Sequence, residues 1–533
     1  MTSTQAPGAG TLISSTLPYV NAEPHVGFAL ELCQTDAVAR TLRLFAEPLQ
    51  SITGSDEHSL KNVQSARAKG LPLGEHIARN AAAFERLSAG LGVQFDHNVA
   101  TSRDPRHRAC VERLFAACAA RGDLYRRSYT GHYCVGCEAF YDVAELRDGV
   151  CPEHLVPPES VAEENWFFRL SRYEERLRAL IQSDELCVLP RERKNEVLAF
   201  LDGGLTDISV SRSAARAQSF GIPVPADPSQ VVYVWFDALA SYLTAGDYGQ
   251  LGSSCAWQQS ERRIHVLGKG VLRFHAVYWP AFLLSAGLKL PTELRVHGYL
   301  TVEGRKIGKS LGNALDPAAL LGQCGANALR YYLLRHVPPF KDADFSRERL
   351  LEAHDGELAD ELGNLLRRVL TLLHRSAGGR VPEAGPLGAE EQRLAALAVE
   401  LPARARVEVE RHELAAALGE VFRVVRETNR YLELSAPWKL AQPAASELDR
   451  RRLHTILTSA LSALRCVAVG LWPFVPELAS DLARAVGLEL ASLRVRHGER
   501  AWELPRGLQL EPARLLAPRL VPRSGARVGA PER

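Results

Sequence analysis

Apolar residues follow two different rhythms along this chain of 533 residues. Short apolar runs at 11–16, 49–53, 231–235, 264–267 and 294–296 read as strands, and 28–45 reads as a helix. A strand, a turn bearing Pro and Gly, and a helix in that order predict a parallel α/β sheet. Such sheets bind ligands beyond the carboxyl ends of their strands, which is where 19–27 and 54–58 fall. After about residue 350 the period becomes helical. Leu- and Ala-rich segments at 357–374, 413–432 and 451–469 predict a helix bundle. Residues 121–225 differ from both halves, with clustered cysteines and Pro-rich turns, and read as an insertion. From about residue 490 the chain is rich in Pro and Arg, which predicts an extended tail that partly packs back.

Composition narrows this picture. A 46% hydrophobic chain of this length can bury a large core and exceeds one compact domain. Its 64 Lys and Arg against 62 Asp and Glu leave a net charge of only +2, which excludes a globally basic nucleic-acid binder. Any RNA contact must therefore be local. The first ten residues have neither the charged start nor the apolar run of a secretory signal, and no apolar stretch of bilayer length is expected. The expected compartment is the cytoplasm, where sparse cysteines do not form a disulfide scaffold and clustered ones read as metal ligands. Met1 is the only methionine, for which genomic composition and drift are the bland reading and synthesis when methionine is scarce or oxidised the functional one.

Three segments carry candidate chemistry. Pro18-Tyr19-Val20-Asn21-Ala22-Glu23-Pro24-His25-Val26-Gly27-Phe28 runs from a strand end into a helix start. Free N–H groups and the positive end of the helix dipole suit a phosphate there, with His25 beside them and Gly27 permitting close approach. A His in a Pro-bearing turn is by itself more often just solvated. Gly304-Arg305-Lys306-Ile307-Gly308-Lys309-Ser310 is a Gly-rich loop whose Lys306 and Lys309 can follow charge as it develops on a polyphosphate. A solvated basic loop is the bland reading of that segment alone. The third is Cys134-Val135-Gly136-Cys137, followed after thirteen residues by Cys151-Pro152-Glu153-His154. A Cys-x-x-Cys with a Cys-x-x-His closes a tetrahedral site for Zn2+, with Zn–S near ~2.3 Å and no open position for catalysis. One structural zinc per chain is expected. Cys33, Cys110, Cys118, Cys187, Cys255, Cys324 and Cys466 are scattered and read as small buried apolar residues.

The first two segments, in this order, resemble the paired signatures of class I aminoacyl-tRNA synthetases. With Leu17-Pro18-Tyr19-Val20-Asn21, Thr53-Gly54-Ser55-Asp56-Glu57-His58, the knuckle, Tyr233-Val234-Trp235-Phe236-Asp237-Ala238-Leu239 and His275-Ala276-Val277-Tyr278-Trp279-Pro280, nearly the whole chain resembles methionine-tRNA ligases. The resemblance implies an α/β fold: a Rossmann-like parallel-sheet catalytic domain with a zinc-knuckle insertion, then an all-α anticodon-binding helix bundle. Its halves would span 1–120 and 226–325, the insertion 121–225, a stem-contact linker 326–350, the bundle 351–490 and the tail 491–533. The insertion is too short to house an editing domain.

By this resemblance Leu17, Tyr19, Trp235, Ala238, Leu239, Tyr242, Val271, His275 and Trp279 line a methionine pocket, and Asp56 holds the substrate ammonium. His25, Gly27, Glu31, Gly268, Lys306, Lys309 and Ser310 bind ATP with its Mg2+, and His25, Lys306 and Lys309 are catalytic. Asn364 and Arg368 lie one turn apart, opposite the stripe of Leu358, Leu362, Leu365, Leu366, Val369 and Leu373. With Trp438 they match the family's readers of the tRNA anticodon. The departures lie around ATP. Phe28 replaces the second His of the first signature, the second reads Lys-Ile-Gly-Lys-Ser, and Gly270 stands where the family has an Asp facing the ribose.

The implied reaction has two steps, methionyl-adenylate formation and transfer to a terminal ribose hydroxyl of initiator or elongator tRNA. Catalysis rests on positioning and charge stabilisation. A monomer is expected, since no added C-terminal tRNA-binding domain is visible. Two other readings are a non-catalytic paralogue that binds tRNA and an adenylate-forming ligase of specialised metabolism. The intact anticodon residues argue against the latter.

Overall fold

The computed structural model describes residues 10–134, 139–141, 146–152, 155–249, 255–302, 304–306, 315–490, 497–512 and 514–521. The chain forms two compact units, one of Met1–Pro24, Pro48–Ser88 and Gln94–Gly298, the other of His25–Glu47, Ala89–Val93 and Tyr299–Arg533.

The first unit is built on a six-stranded sheet. Its strands are β1 (Thr11–Ser14), β2 (Leu49–Ser55), β3 (His97–Ala100), β4 (Cys187–Leu189), β5 (Arg262–Gly268) and β6 (Glu293–His297). They lie in the order β3-β2-β1-β5-β6-β4, every neighbouring pair parallel. Leu12, Ile13, Ile52, Val99, Ile264, Val266, Leu294 and Val296 are fully buried. Burial on both faces is why these strands show in the sequence as unbroken apolar runs. The edge strand β4 was not expected, because three residues inside a polar stretch give no pattern. The order reverses between β1 and β5, so the crevice beyond their carboxyl ends is the topological switch point.

The structure corrects the strand expected at 231–235. The strand is Asp227–Val232, the middle of a small antiparallel sheet with Pro223–Val224 and Ser211–Ser213, and Trp235 belongs to the helix Val234–Thr244. A five-residue apolar run does not distinguish the two. A further four-stranded antiparallel sheet joins Ala139–Tyr141, Leu124–Cys134, Glu159–Phe168 and Ile208–Ser209 in that order.

The second unit is helical. Helix α1 (Val26–Leu44) belongs to it, tied by Asp36, which accepts from Arg40 at 2.8 Å and from the buried Arg330 at 2.7 Å. The Arg330 guanidinium also donates to the Phe474 and Leu91 carbonyls, so this buried charge cluster is paired throughout. Helices α3 (Pro317–Arg335), α4 (Asn364–Ala377), α5 (Leu414–Ser435) and α6 (Glu447–Leu471) follow, α2 being Val234–Thr244 of the first unit. Helix α6 starts at a capping box in which Ser446 and Asp449 satisfy each other's backbone N–H. At 25 residues it is long and apolar enough to cross a bilayer, contrary to the expectation from sequence, but it is the buried core helix of this unit. The helix expected at 357–374 is α4 preceded by a π-helix, His354–Gly363. Its wider turn has no counterpart in a 3.6-residue reading. The predicted stripe of Leu358, Leu362, Leu365, Leu366, Val369 and Leu373 is buried. The tail does pack back: Val381 donates to the Leu508 carbonyl, and Asp355 accepts from the Leu520 and Val521 amides.

Candidate active site

Beyond the ends of β1 and β2 the parallel pairing continues as a bridge between Tyr19 and Asp56, with the Asp56 amide donating to the Pro18 carbonyl at 2.9 Å. Just before the bridge, Gly54 permits the close approach of β3 and Leu17, since a Cβ there would lie 2.1 Å from the Val99 carbonyl oxygen and 3.0 Å from Leu17. Asp56 is 1% exposed. Its neighbours fix it from both sides. Glu57 accepts from Ser55 at 2.8 Å and from Arg103 at 2.7 Å, and Asn62 donates to the Asp56 and Glu57 carbonyls.

Trp235, Ala238, Leu239 and Tyr242 share one face of α2, at the i, i+3, i+4, i+7 spacing of a helical stripe. All four are buried. The Trp235 ring stacks on Phe274 with centroids 3.7 Å apart and planes 7° from parallel, and Tyr19 meets Trp235 edge-on at 6.1 Å. Tyr242 lies 2.9 Å from Nε2 of His275, whose Nδ1 is 3.0 Å from the Val271 carbonyl. Tyr242 also lies 6.1 Å from Trp279 and 4.3 Å from His265, which bonds Ser14 at 2.7 Å. Burial, helped by the charges of His275 and Arg263, holds the His265 pKa well below its usual range. The structure thus gathers Leu17, Tyr19, Asp56, Trp235, Tyr242, Val271, His275 and Trp279 in the first unit, with Ala238 and Leu239 on the shared helix face. Leu17, Tyr19 and Asp56 lie just beyond the ends of β1 and β2, whereas Trp235, Ala238, Leu239, Tyr242, Val271, His275 and Trp279 lie on helices.

Three groups there were missed by the sequence reading. Phe274 supplies the stacking partner. Arg212 is 7% exposed, with its guanidinium 5.4 Å from the Tyr233 ring. The third is a chain in which Asp237 is hydrogen-bonded to His58 at 2.7 Å and to His107 at 2.6 Å. His58 and Asp237 sit inside the family segments 53–58 and 233–239, yet nothing local assigns them a role. Across the switch point, β5 ends at Gly268, and the turn Lys269–Val271 leaves Gly270 exposed.

In the second unit His25 caps α1, its Nδ1 accepting from the Gly27 amide at 3.1 Å. A Cβ on Gly27 would stand 3.0 Å from that ring, so glycine permits the cap. His25 is exposed at the helix N-terminus, while Glu31 and Phe28 are buried. Phe28 therefore serves packing. Lys306 lies on the strand Arg305–Lys306 paired with Leu300–Val302. Lys309 and Ser310 lie outside the described residues.

Also in this unit, α4 carries Asn364 and Arg368, and the Arg368 guanidinium lies 5.6 Å over the ring of Trp438. Trp438 is 41% exposed in the turn Pro437–Leu440, which marks it as a surface aromatic rather than core. Asn364 accepts from Arg367 at 3.1 Å. Of the expected zinc ligands, Cys134 and Cys151 are buried in one small cluster with Tyr141 and Leu146. Cys137 and His154 lie outside the described residues, and among the described residues no three His, Cys, Asp or Glu side chains are grouped as a metal site would need.

A parallel sheet that reverses its order at β1, a helix starting at a His-x-Gly directly after that strand's loop, and a large helical unit define the class I aminoacyl-tRNA synthetases. The model for "tRNA synthetases class I (M)" matches residues 11–158 and 142–370, and that for the "Anticodon binding domain of methionyl tRNA ligase" matches 381–520. The chain belongs to the methionine–tRNA ligase family. The methionine–tRNA ligase of Brucella suis biovar 1 (strain 1330) is 38% identical over 474 residues, 88% of this chain and 90% of that protein. That of Rhizobium meliloti (strain 1021) is 38% identical over 520 residues, covering 96% and 98%. The solved structure of Mycobacterium tuberculosis methionyl-tRNA synthetase in complex with methionyl-adenylate superposes with a TM-score of 0.90 at 35% identity, covering 96% of this chain and all of that one.

Proposed function

We propose that this chain joins methionine to tRNA with ATP, through methionyl-adenylate, for both initiator and elongator tRNA. The observation that carries the reading is a buried carboxylate, Asp56, bridged to Tyr19 beside an aromatic wall at the switch point. An ammonium needs such a carboxylate, and a thioether needs polarizable apolar walls.

Each residue then has a role. Asp56 holds the ammonium, while Leu17, Tyr19, Trp235, Ala238, Leu239, Tyr242, Val271, His275 and Trp279 enclose the side chain. His25, exposed at the start of α1, meets a phosphate beside the amides there. Gly27, Glu31, Gly268 and Ser310 complete the nucleotide contacts, with Mg2+ entering as the ATP complex. Lys306 and Lys309 stabilise charge on the leaving pyrophosphate. Asn364, Arg368 and Trp438 read the anticodon, Trp438 by stacking on a splayed base.

A structural zinc on Cys134, Cys137, Cys151 and His154 fits the small core around Cys134 and Cys151. Among the described residues that core consists of two cysteines, one Tyr and one Leu, the kind of small core that a metal staples. The enzyme is read as a cytoplasmic monomer. A methionine-dependent ATP–pyrophosphate exchange assay tests the reading. Exchange with methionine is the expected result, and none with any amino acid would leave a tRNA-binding paralogue.

A further inference from the structure

The chain through Asp237 joins three elements that are distant in sequence. His58 Nδ1 is 2.7 Å from Asp237 Oδ2, and His107 Nε2 is 2.6 Å from Oδ1. His107 Nδ1 is in turn 2.8 Å from the Thr244 hydroxyl, which donates to the Ala240 carbonyl at 3.2 Å. Asp237 and His107 are essentially fully buried. The His58 ring also meets Phe220 edge-on at 5.2 Å.

Their placement matters more than their number. His58 is two residues beyond Asp56, and Asp237 lies on α2 between Trp235 and Ala238. Asp56 is also held through Pro18 on one side and through Glu57 to residues 101–103 on the other. Neither of those hydrogen-bonded ties reaches α2, whereas His58 bonds to it directly, and Tyr19, bridged to Asp56, touches α2 through its ring against Trp235.

We infer that His58 is a positioning residue for the amino acid, because its bond to Asp237 fixes the segment bearing Asp56 against the helix bearing Trp235, Leu239 and Tyr242. The bond sets the spacing between the carboxylate that meets the ammonium and the pocket that takes the side chain. This inference rests on the reading of Asp56 as the ammonium's partner. It predicts that His58 acts on methionine and not on ATP, since no atom of the tie belongs to the nucleotide contacts named above.

The groups facing this chain are Asp237 and His107 on the α2 side, Glu57 in the chain next to His58, and Arg212 from Ser211–Ser213, which lines the same small cavity. Burial works to lower the His58 pKa, but the charges of Asp237 and Glu57 outweigh it and the pKa is raised. The tie is thus a charged one below that raised value, and it weakens as pH climbs through it.

The test is the KM for methionine and for ATP in pyrophosphate exchange between about pH 6 and about pH 9, for wild type, His58→Ala, His58→Asn and Asp56→Ala. His58→Ala is expected to raise the methionine KM about tenfold, the loss of one charge-assisted hydrogen bond, and leave that for ATP nearly unchanged. In His58→Asn the amide nitrogen takes the place of Nδ1. It should recover most of the loss near neutral pH, and its methionine KM should lack the added rise that the wild type shows with pH. The substrate ammonium titrates equally in both, so the difference belongs to His58. Equal rises in both KM values, or a wild-type pH response in His58→Asn, would overturn the inference. If His58→Ala does not fold, the His58→Asn profile decides alone. An unchanged methionine KM in Asp56→Ala overturns the reading of Asp56 and this inference with it. A large rise there with none in His58→Ala overturns the inference alone.

Discussion

Tyr242 donates its hydroxyl proton to His275. The Val271 carbonyl, 3.0 Å from Nδ1, can only accept, so Nδ1 carries the ring proton and Nε2 takes the one from Tyr242, 2.9 Å away. The Tyr242 proton is therefore committed within the protein, and in the proposed function the pocket would meet methionine with an oxygen lone pair and ring faces. Tyr242→Phe leaves Nε2 buried without its donor. The expected outcome is a loss of stability of about 1–2 kcal/mol together with a rise in methionine KM, measured by urea unfolding and by exchange kinetics. An unchanged stability would mean that His275 adopts the other tautomer or another rotamer.

Stability should depend on pH at both ends through Asp237. Burial pushes the Asp237 carboxyl upward, but the charges and hydrogen bonds of His58 and His107 outweigh it and hold the pKa well below the carboxylate range. A depressed acid contributes stability that is fully present above its unfolded value of about 4 and is lost as pH falls through the folded value. The raised His58 contributes stability that is full below about pH 6.5 and is lost as pH rises through its folded value. Urea midpoints across this range should fall at both ends in wild type. In Asp237→Asn both limbs should flatten, with a lower midpoint in between; wild-type limbs in that variant would assign them to other groups.

These relationships divide what the sequence makes legible from what it hides. The strands β1, β2, β5 and β6 were readable because burial on both faces leaves unbroken apolar runs, and α4 because its Leu stripe has one period. Of the Cys-x-x-Cys and Cys-x-x-His pairs, whose spacing is local, Cys134 and Cys151 fall among the described residues and are buried together. Asp237 sits 179 residues from His58 and 130 from His107, so no window of sequence contains their contact. Strand β4 is too short to show a pattern. The π-helix ahead of Asn364 follows a period that a 3.6-residue reading does not contain. Trp235 was placed in the pocket through the family motif, while its element was misread because Val231, Val232 and Val234 suit a strand equally well.

Zinc is expected at one per chain by metal analysis of the purified protein. Cys151→Ala should release it and disorder the insertion, seen as new proteolytic cleavage between 135 and 155, because metal binding and folding of such a segment are one equilibrium. A stoichiometric metal content retained in Cys151→Ala would remove that residue from the ligand set.

Anticodon reading is expected to reside on α4 and the turn holding Trp438. Trp438→Ala removes a half-exposed ring and leaves the Arg368 guanidinium without the face it covers. Charging of tRNA should fall about tenfold or more, since stacking on a loop base contributes ~1–3 kcal/mol, while pyrophosphate exchange stays near wild type. Equal losses in both assays would indicate a folding defect in the helical unit.

The nucleotide side yields a directional expectation. Phe28 is buried and has been absorbed into packing, so the missing imidazole of the first signature cannot be restored there without disturbing the interior. Gly270 is different. It is exposed, follows Lys269 in a short turn beyond β5, and is not among the positive-φ glycines, so a side chain there brings no backbone strain. Gly270→Asp should lower the KM for ATP by supplying a ribose-facing carboxylate, with little change in the KM for methionine or in kcat, the pattern of added ground-state binding. Lys309→Ala should do the reverse and lower kcat, because its contact strengthens as charge builds on the leaving pyrophosphate. A higher ATP KM in Gly270→Asp would mean that the nucleotide takes another pose in this chain, with Glu31 as its remaining carboxylate partner.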